Sequence, residues 1–149
     1  MKLTVEHVMS LVPCMNKERI QFLLPEPDGV EINAEESTLQ RLQALKPHDA
    51  AWLLCRLMNP ETRRAWLLRG SQQALILPRD LSKSWWYEYV KHHQEQIQKD
   101  VPNIRSSDQI VEYLLYYTGK PEALSFRQEF IRHGLLLLVA QNKLNEGAY

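Results

Sequence analysis

Apolar residues recur at helical spacing along most of the chain, and prolines, asparagines and glycines interrupt that spacing at short intervals. Residues three and four positions apart share one face of a helix, whereas strict alternation would indicate a strand. The pattern predicts an all-α fold, a compact bundle of about six to eight short helices whose connections are capped by proline or asparagine. A chain of 149 residues has the usual size of one domain, so we predict a single helical domain over residues 1–149.

Short helices are predicted in the first third of the chain. Residues 5–12 and 16–24 each carry apolar side chains at helical spacing and stop at a proline, and Thr4 is placed to cap the first of them. Residues 26–29 predict a turn. Asn33 and Glu36 have the spacing of a capping box, which predicts the start of the next helix. Its apolar stripe consists of Leu39, Leu42 and Leu45.

Two further helices are predicted to start at prolines. The fixed φ of proline and its missing N–H suit the first turn of a helix, so Pro47 and Pro60 are expected at helix starts. Gly70 is expected to end the second of these helices. Their predicted bounds are about 48–58 and 60–69. Residues 71–77 fit a short strand or a helical turn equally well, and their structure stays open.

The second half of the chain predicts three helices, at about 82–99, from Ser106 to Gly119, and from Pro121 to about residue 144. The apolar stripe of the first consists of Trp86, Tyr89, Val90, His93 and Ile97. The last carries apolar side chains on two nearly opposite sides. Such a helix either lies at the centre of the bundle or also binds a partner. One of its two stripes, formed by Phe126, Phe130 and Leu137, is therefore the candidate surface for self-association into a homo-oligomer.

The composition is that of a globular chain without a net charge. Hydrophobic residues make up 44% of the sequence, and 18 basic residues balance 18 acidic ones, so no overall field attracts nucleic acid or an anionic membrane. Glu6 and His7 interrupt the apolar stretch that a signal peptide would need. The apolar run from Leu135 to Ala140 is too short to span a bilayer. We therefore predict a cytoplasmic protein that does not engage a membrane.

Positive charge is concentrated in one segment that also contains two tryptophans. Residues 41–70 have a net charge of +4, which the first forty residues balance with −4. On helical wheels Trp52 and Trp66 lie toward polar positions near Arg56 and Arg63, which makes these four side chains candidate partner-binding residues. The alternative is internal packing, with both rings between helices and the arginines laid over them in cation–π contact.

Aromatic runs at residues 85–89 and 113–117 present a similar choice. Trp86, Tyr89 and Tyr117 fall on the predicted core stripes. Trp85 lies at the edge of its stripe, and we add it to the candidate partner-binding residues, since aromatic side chains are enriched at interfaces. The alternative is that such aromatic side chains at the edge of an apolar stripe pack at the periphery of the hydrophobic core.

No pattern in the sequence supports catalysis, a metal or a cofactor. Cys14 and Cys55 lie in apolar segments without a catalytic setting, and Cys55 is interpreted as a buried hydrophobe. His92 and His93 point about 100° apart on a helix and cannot easily share an ion. The glycines are too scattered for a phosphate-binding loop. We predict that the protein is not an enzyme and has no catalytic residue, metal site or cofactor.

These observations favour a non-enzymatic protein–protein interaction module, such as an adaptor, an accessory subunit of a larger assembly, or an inhibitor. Its partner is predicted to be a protein that the sequence does not identify. The alternative is a nucleic-acid-binding accessory or regulatory protein that uses the arginines and tryptophans of residues 52–69. The two hypotheses differ in salt response, because phosphate contacts weaken steeply as salt rises.

Overall fold

The structure, a computed structural model, describes residues 2–10, 30–31, 33, 35–76, 84–100, 102–116 and 124–147. Helices account for 86% of these residues, which confirms the predicted all-α multi-helix bundle. The helices are α1 (Val5–Ser10), α2 (Glu36–Gln43), α3 (Pro47–Leu57), α4 (Pro60–Leu75), α5 (Ser84–Lys99), α6 (Ile104–Tyr116) and α7 (Leu124–Gly147). Two short strands, β1 (Lys2–Leu3) and β2 (Val30–Glu31), pair antiparallel, with Leu3 opposite Val30. The predicted helix at 16–24 and the turn at 26–29 lie outside the described residues.

Proline and asparagine start the helices as the sequence predicts. Pro47 and Pro60 occupy the first turns of α3 and α4. The Asn59 side chain accepts a hydrogen bond of 2.8 Å from the Thr62 N–H and so satisfies one donor of the first turn of α4. At the start of α1, Thr4 Oγ1 accepts from the His7 N–H at 3.1 Å. The predicted Thr4 cap is therefore confirmed.

Two predicted helix starts are wrong by a few residues. Asn33 lies outside α2, because its side-chain oxygen accepts from the Glu35 N–H and from the Thr38 hydroxyl, and Glu35 takes the cap position. In α6, Ser106 is already helical. The cap is Asn103, whose side chain accepts from the Ser106 N–H at 2.9 Å. In both places an asparagine side chain sets where the chain turns into the helix.

Gly70 does not end its helix, contrary to the prediction. α4 continues through it to Leu75, so residues 71–75 are helical rather than a strand. Gly70 is buried, and a Cβ atom there would lie 3.1–3.2 Å from the Phe130 ring. The small residue is needed for close packing and not for a left-handed turn.

Helices α4 and α7 cross closely at two glycines, one on each helix. Trp66 of α4 covers Gly134 of α7, where a Cβ atom would lie only 2.7 Å from the indole ring. Phe130 of α7 covers Gly70 of α4 in the same way, which makes the two helices antiparallel. The Trp66 indole N–H donates to the Phe130 carbonyl oxygen at 2.8 Å, and the two rings meet edge to face with centroids 4.5 Å apart. At this crossing each helix places an aromatic ring over a glycine of the other helix.

Long polar side chains satisfy the carbonyl groups at the ends of neighbouring helices. Arg127 donates to the Gln43 and Leu45 carbonyl oxygens at the end of α2, both at 3.2 Å. Arg64 donates to the Ile97 and Gln98 carbonyl oxygens at the end of α5. Because the last carbonyls of a helix lack partners and carry partial negative charge, a guanidinium there supplies both hydrogen bonds and charge.

Gln141 of α7 joins the turn between α3 and α4 to the rest of the bundle. Its side-chain oxygen accepts from the Asn59 N–H at 2.8 Å, and its nitrogen donates to the Leu57 carbonyl oxygen at 3.1 Å. Buried side chains lie on both stripes of α7, which packs mainly against α4 and α2. Among the described helices, α4 packs against α5, α6 and α7. The core therefore lies around α4.

We expect Gly134→Ala to destabilise the protein. Alanine is intrinsically favoured over glycine in a helix by about 1 kcal/mol, but its methyl group would enter the space of an indole that is fixed by its hydrogen bond to Phe130. Overpacking of a core costs about 1–3 kcal/mol, so the free energy of unfolding in urea should fall. Gly70→Ala is the matched comparison and should lose less, because the contact with Phe130 is longer. A Gly134→Ala protein as stable as the wild type would contradict this packing.

We expect Arg127→Met to destabilise the C-terminal end of α2. Methionine keeps much of the apolar stem but leaves the Gln43 and Leu45 carbonyls without their donors, at a cost of about 1–2 kcal/mol. Hydrogen exchange should accelerate at the last amides of α2. Arg132→Met is the control on the same helix, because Arg132 makes only exposed ion pairs with Glu36 and Glu129 and should contribute less than about 1 kcal/mol. Equal effects of the two variants would exclude the capping role.

Candidate functional site

The tryptophans and arginines proposed for partner binding are largely inside the bundle. Trp52 is 6% exposed, Arg63 is 8% exposed and Trp66 is fully buried. The expectation that Trp52, Trp66 and Arg63 form part of an exposed contact surface is therefore wrong. Neighbouring helices cover them on the sides that the helical wheels left polar. The side chain of Trp85 lies outside the described part of the structure.

Arg56 is half-buried and serves as an internal bridge between α3 and α6. Its guanidinium lies 4.6 Å from the centroid of the Trp52 ring, the cation–π contact that the packing alternative predicted. The same group donates to both carboxylate oxygens of Asp108 at 3.0 Å and to the Trp52 carbonyl oxygen at 3.1 Å. Together with Arg63, which reaches the Cys55 carbonyl oxygen, Arg56 is engaged within the protein.

The stripe predicted for self-association is also covered within the monomer. Phe126 and Phe130 are buried, and Leu137 is half-buried against the core. Phe130 fills the space above Gly70 and stacks on Trp66, so its ring is not available to a second copy of the chain. Of the three side chains predicted for self-association, Phe126 and Phe130 are therefore enclosed, whereas Leu137 keeps part of its area at the surface.

Cys55 is a free, fully buried thiol at the end of α3, as its apolar surroundings predicted. Burial raises the pKa of the thiol well above its usual range, and the negative charge of Asp108 raises it further. The nucleophilic form of cysteine is the thiolate, which this setting disfavours. Cys55 is therefore a packing residue, and Cys14 lies outside the described residues.

Aromatic rings meet at the surface where α5 and α6 lie side by side. Tyr89 of α5 stacks on Tyr113 of α6 with ring centroids 4.3 Å apart, and the imidazole of His93 lies 4.2 Å from Tyr89. Tyr113 is 38% exposed, and Tyr89 and His93 are half-buried. We name these three side chains, Tyr89, His93 and Tyr113, the aromatic seam. It is the most prominent exposed aromatic cluster in the described part of the chain.

Trp86 lies in the core beneath the aromatic seam and links the two helices that carry it. Its ring is buried, and its indole N–H donates to the Tyr113 carbonyl oxygen at 3.3 Å, which ties α5 to α6 beneath the rings. Two groups of the seam, Tyr89 and His93, are uncharged near neutral pH. Burial raises the pKa of Tyr89, with a further contribution from Tyr113, and burial lowers the pKa of His93, with a further contribution from His92. It therefore presents rings, hydroxyls and a neutral imidazole.

The sequence held a signal for this cluster, but its interpretation was incomplete. The aromatic runs at 85–89 and 113–117 drew attention to the correct parts of the two helices. The pattern places Tyr89 on the core stripe of the fully buried Trp86, three residues away, and in the structure Tyr89 is half-buried against that core. Packing against the neighbouring helices decides how much of each aromatic ring of α5 reaches solvent.

Within the described ranges, no three histidine, cysteine or acidic side chains come together in a way that could hold a metal ion. The search of those same residues also finds no helix with the length and apolar character needed to cross a membrane. No protein-family model matches the chain, and neither a curated protein nor a solved structure is similar to it. A functional assignment therefore rests on the chain's own residues.

We expect a double-mutant cycle with Arg56→Met and Asp108→Asn to show strong coupling between the two side chains. Both are about four-fifths buried, so their ion pair should contribute about 1–2 kcal/mol, between the values of exposed and fully buried pairs. The exposed pair of Arg132 and Glu36, whose closest atoms are 3.7 Å apart, is the control and should couple by less than about 0.5 kcal/mol. Urea unfolding of the single and double variants measures both energies, and equal coupling in the two cycles would exclude the internal role of Arg56.

Proposed function

We propose that the protein is a non-enzymatic protein-interaction module and that the aromatic seam is its contact surface. The observation that carries the proposal is the stack of Tyr89 on Tyr113 with His93 beside it, held at the surface by a buried tryptophan. Tyrosine combines a large apolar ring with a polar hydroxyl and few rotatable bonds, which is why it is enriched at the centres of protein interfaces.

The charge distribution around the bundle supports a protein partner over nucleic acid. Arg56, Arg63 and Arg64 carry half of the positive charge in residues 41–70, and all three bond to carbonyl or carboxylate oxygens of the protein itself. Guanidinium groups held in this way are not free to pair with phosphates, on which non-specific nucleic-acid binding depends. The aromatic seam is neutral and offers no phosphate contact of its own.

The seam also has the geometry of a preorganised surface. Its rings pack against one another, and the hydrogen bond of Trp86 to the Tyr113 carbonyl oxygen holds the helix backbone beneath them, so a partner would have little side-chain entropy to remove on binding. Gln109, one helical turn before Tyr113, is exposed and adds a neutral hydrogen-bonding group on the same helix. A neutral surface of aromatic and amide groups fits another folded protein or peptide that contributes apolar and polar contacts.

The test is site-specific photo-crosslinking in a lysate of the source cells. A photoreactive amino acid at Gln109 should form a covalent adduct with a protein, whereas the same residue at the exposed Gln72 of α4 should not. Tyr113→Ala should reduce the adduct at position 109 by about tenfold or more, the effect of losing a central aromatic contact. Leu136→Ala is the matched control, since Leu136 is 48% exposed on α7, and it should leave the yield unchanged.

Three outcomes would count against this proposal. These are a failure to form any protein adduct at position 109, an adduct of equal yield in the Tyr113→Ala protein, and an adduct that disappears after nuclease treatment. The third outcome would favour the nucleic-acid-binding alternative. Circular dichroism of each variant confirms that the loss of an adduct does not come from unfolding.

A further inference from the structure

Two histidines meet at the aromatic seam. His93 packs against Tyr89 with ring centroids 4.2 Å apart, and the centroid of its neighbour His92 lies 5.6 Å away. Imidazole is the side chain whose ordinary pKa, about 6.5, lies nearest to physiological pH. Protonation of both rings would bring two positive charges to a surface that is otherwise aromatic and neutral.

The packing of His93 favours its unprotonated ring. The side-chain amide nitrogen of Gln96 lies 3.1 Å from Nε2 of the neighbouring His92. His93 is half-buried between Tyr89 and its own helix and has less access to water than an exposed histidine. A cation beside a tyrosine ring gains up to about 1 kcal/mol at an exposed site. Burial lowers the pKa of His93 and His92 lowers it further, whereas the Gln96 side chain raises it in part.

Charged and titratable side chains of three described helices lie near His93 or contact its helix. On α5 these include Tyr89 and His92, and α6 contributes the hydroxyl of Tyr113. From α4, Arg64 reaches the Ile97 and Gln98 carbonyl oxygens one turn further along α5. Of these groups, His92 opposes a positive charge on His93.

We propose that the aromatic seam is pH-sensitive: when His93 becomes an imidazolium, its ring leaves Tyr89 for solvent and the stack of Tyr89 on Tyr113 opens. The closed seam is then the form present near neutral pH, and acidification populates the open form. As a means of regulating a partner contact this inference rests on the proposed function, whereas the opening itself is a property of the chain alone.

The direction of the effect follows from proton linkage. The closed seam binds a proton at His93 less well than the unfolded or open form does, so its stability is fully present above the ordinary histidine pKa. It declines as the pH falls below about 6.5 and levels off below the lowered pKa of the closed form. Binding of a partner over the seam would remove more water from His93, so affinity would fall in the same pH range.

Nuclear magnetic resonance of the free, full-length protein tests the proposal between pH 7.5 and pH 5. The ring signals of Tyr89 and Tyr113 and the indole N–H signal of Trp86 should shift together with the His93 imidazole signals, with one common midpoint below 6.5. His93→Gln should abolish these shifts. His133→Gln is the matched control, because His133 is also half-buried with a pKa lowered by burial and by Arg69, but it lies on α7 beside α4.

A second variant keeps the test decisive if His93→Gln disturbs folding. His92→Gln removes the neighbouring positive charge, so the common midpoint of the tyrosine signals should move to higher pH. Tyrosine signals that stay constant while His93 titrates, or that shift equally in the His93→Gln protein, would overturn the proposal. If crosslinking at Gln109 fails while the Tyr89 and Tyr113 signals still shift with His93, the proposed function is wrong and the pH-sensitive opening stands. The two failures are therefore distinguishable.

Discussion

The fold depends on one close helix crossing, in which α4 and α7 each give up a side chain to admit an aromatic ring of the other. Trp66 reaches a carbonyl oxygen in the middle of α7 only because Gly134 has no Cβ atom beneath the indole. In an α-helix that oxygen also accepts the N–H four residues on, which here belongs to Gly134 itself. The crossing therefore combines ring packing, a second hydrogen bond and antiparallel alignment. On its other sides α4 packs against α5 and α6.

The second constraint is that helix ends inside a bundle must find partners for their carbonyl groups. This protein supplies them from other helices: Arg127 serves the end of α2, Arg64 the end of α5, and Gln141 the end of α3. Each such bond links elements far apart in sequence and places a long side chain across an interface. Arg56, Arg63 and Arg64, half of the basic residues in 41–70, bond to oxygens of the protein itself, so this part of the charge does not imply an anionic partner.

The sequence predicted the helical class and the helices that begin with proline, because periodicity and proline chemistry act locally. It left open whether Trp52 is buried, because a helical wheel assumes one covered face. In α3 every residue from Asp49 to Cys55 is buried, so even the polar side is covered, and Arg56 and Asp108 form their ion pair there. Gly70 was misread for a related reason, since its role depends on Phe130, sixty positions away. Such pairings between distant residues leave no periodic trace in one sequence.

The aromatic seam is a second case in which the sequence pattern does not determine how far a side chain is buried, here for rings that stay partly exposed. Tyr89 and Trp86 differ by three positions on α5 and share a stripe, and both contact Tyr113 of α6, yet Trp86 is fully buried whereas Tyr89 is only half-buried. Exposure of a shoulder residue is set by the neighbouring helix and not by its own pattern. This is why the candidate contact surface moves from the tryptophans of α3 and α4 to the tyrosines and histidine of α5 and α6. Trp66 and Trp86, which hold helices together, are enclosed, and their indole N–H groups are hydrogen-bonded. Tyr89, His93 and Tyr113 keep part of their area in contact with water. A partner can therefore bind these three side chains, and a proton can reach the His93 imidazole.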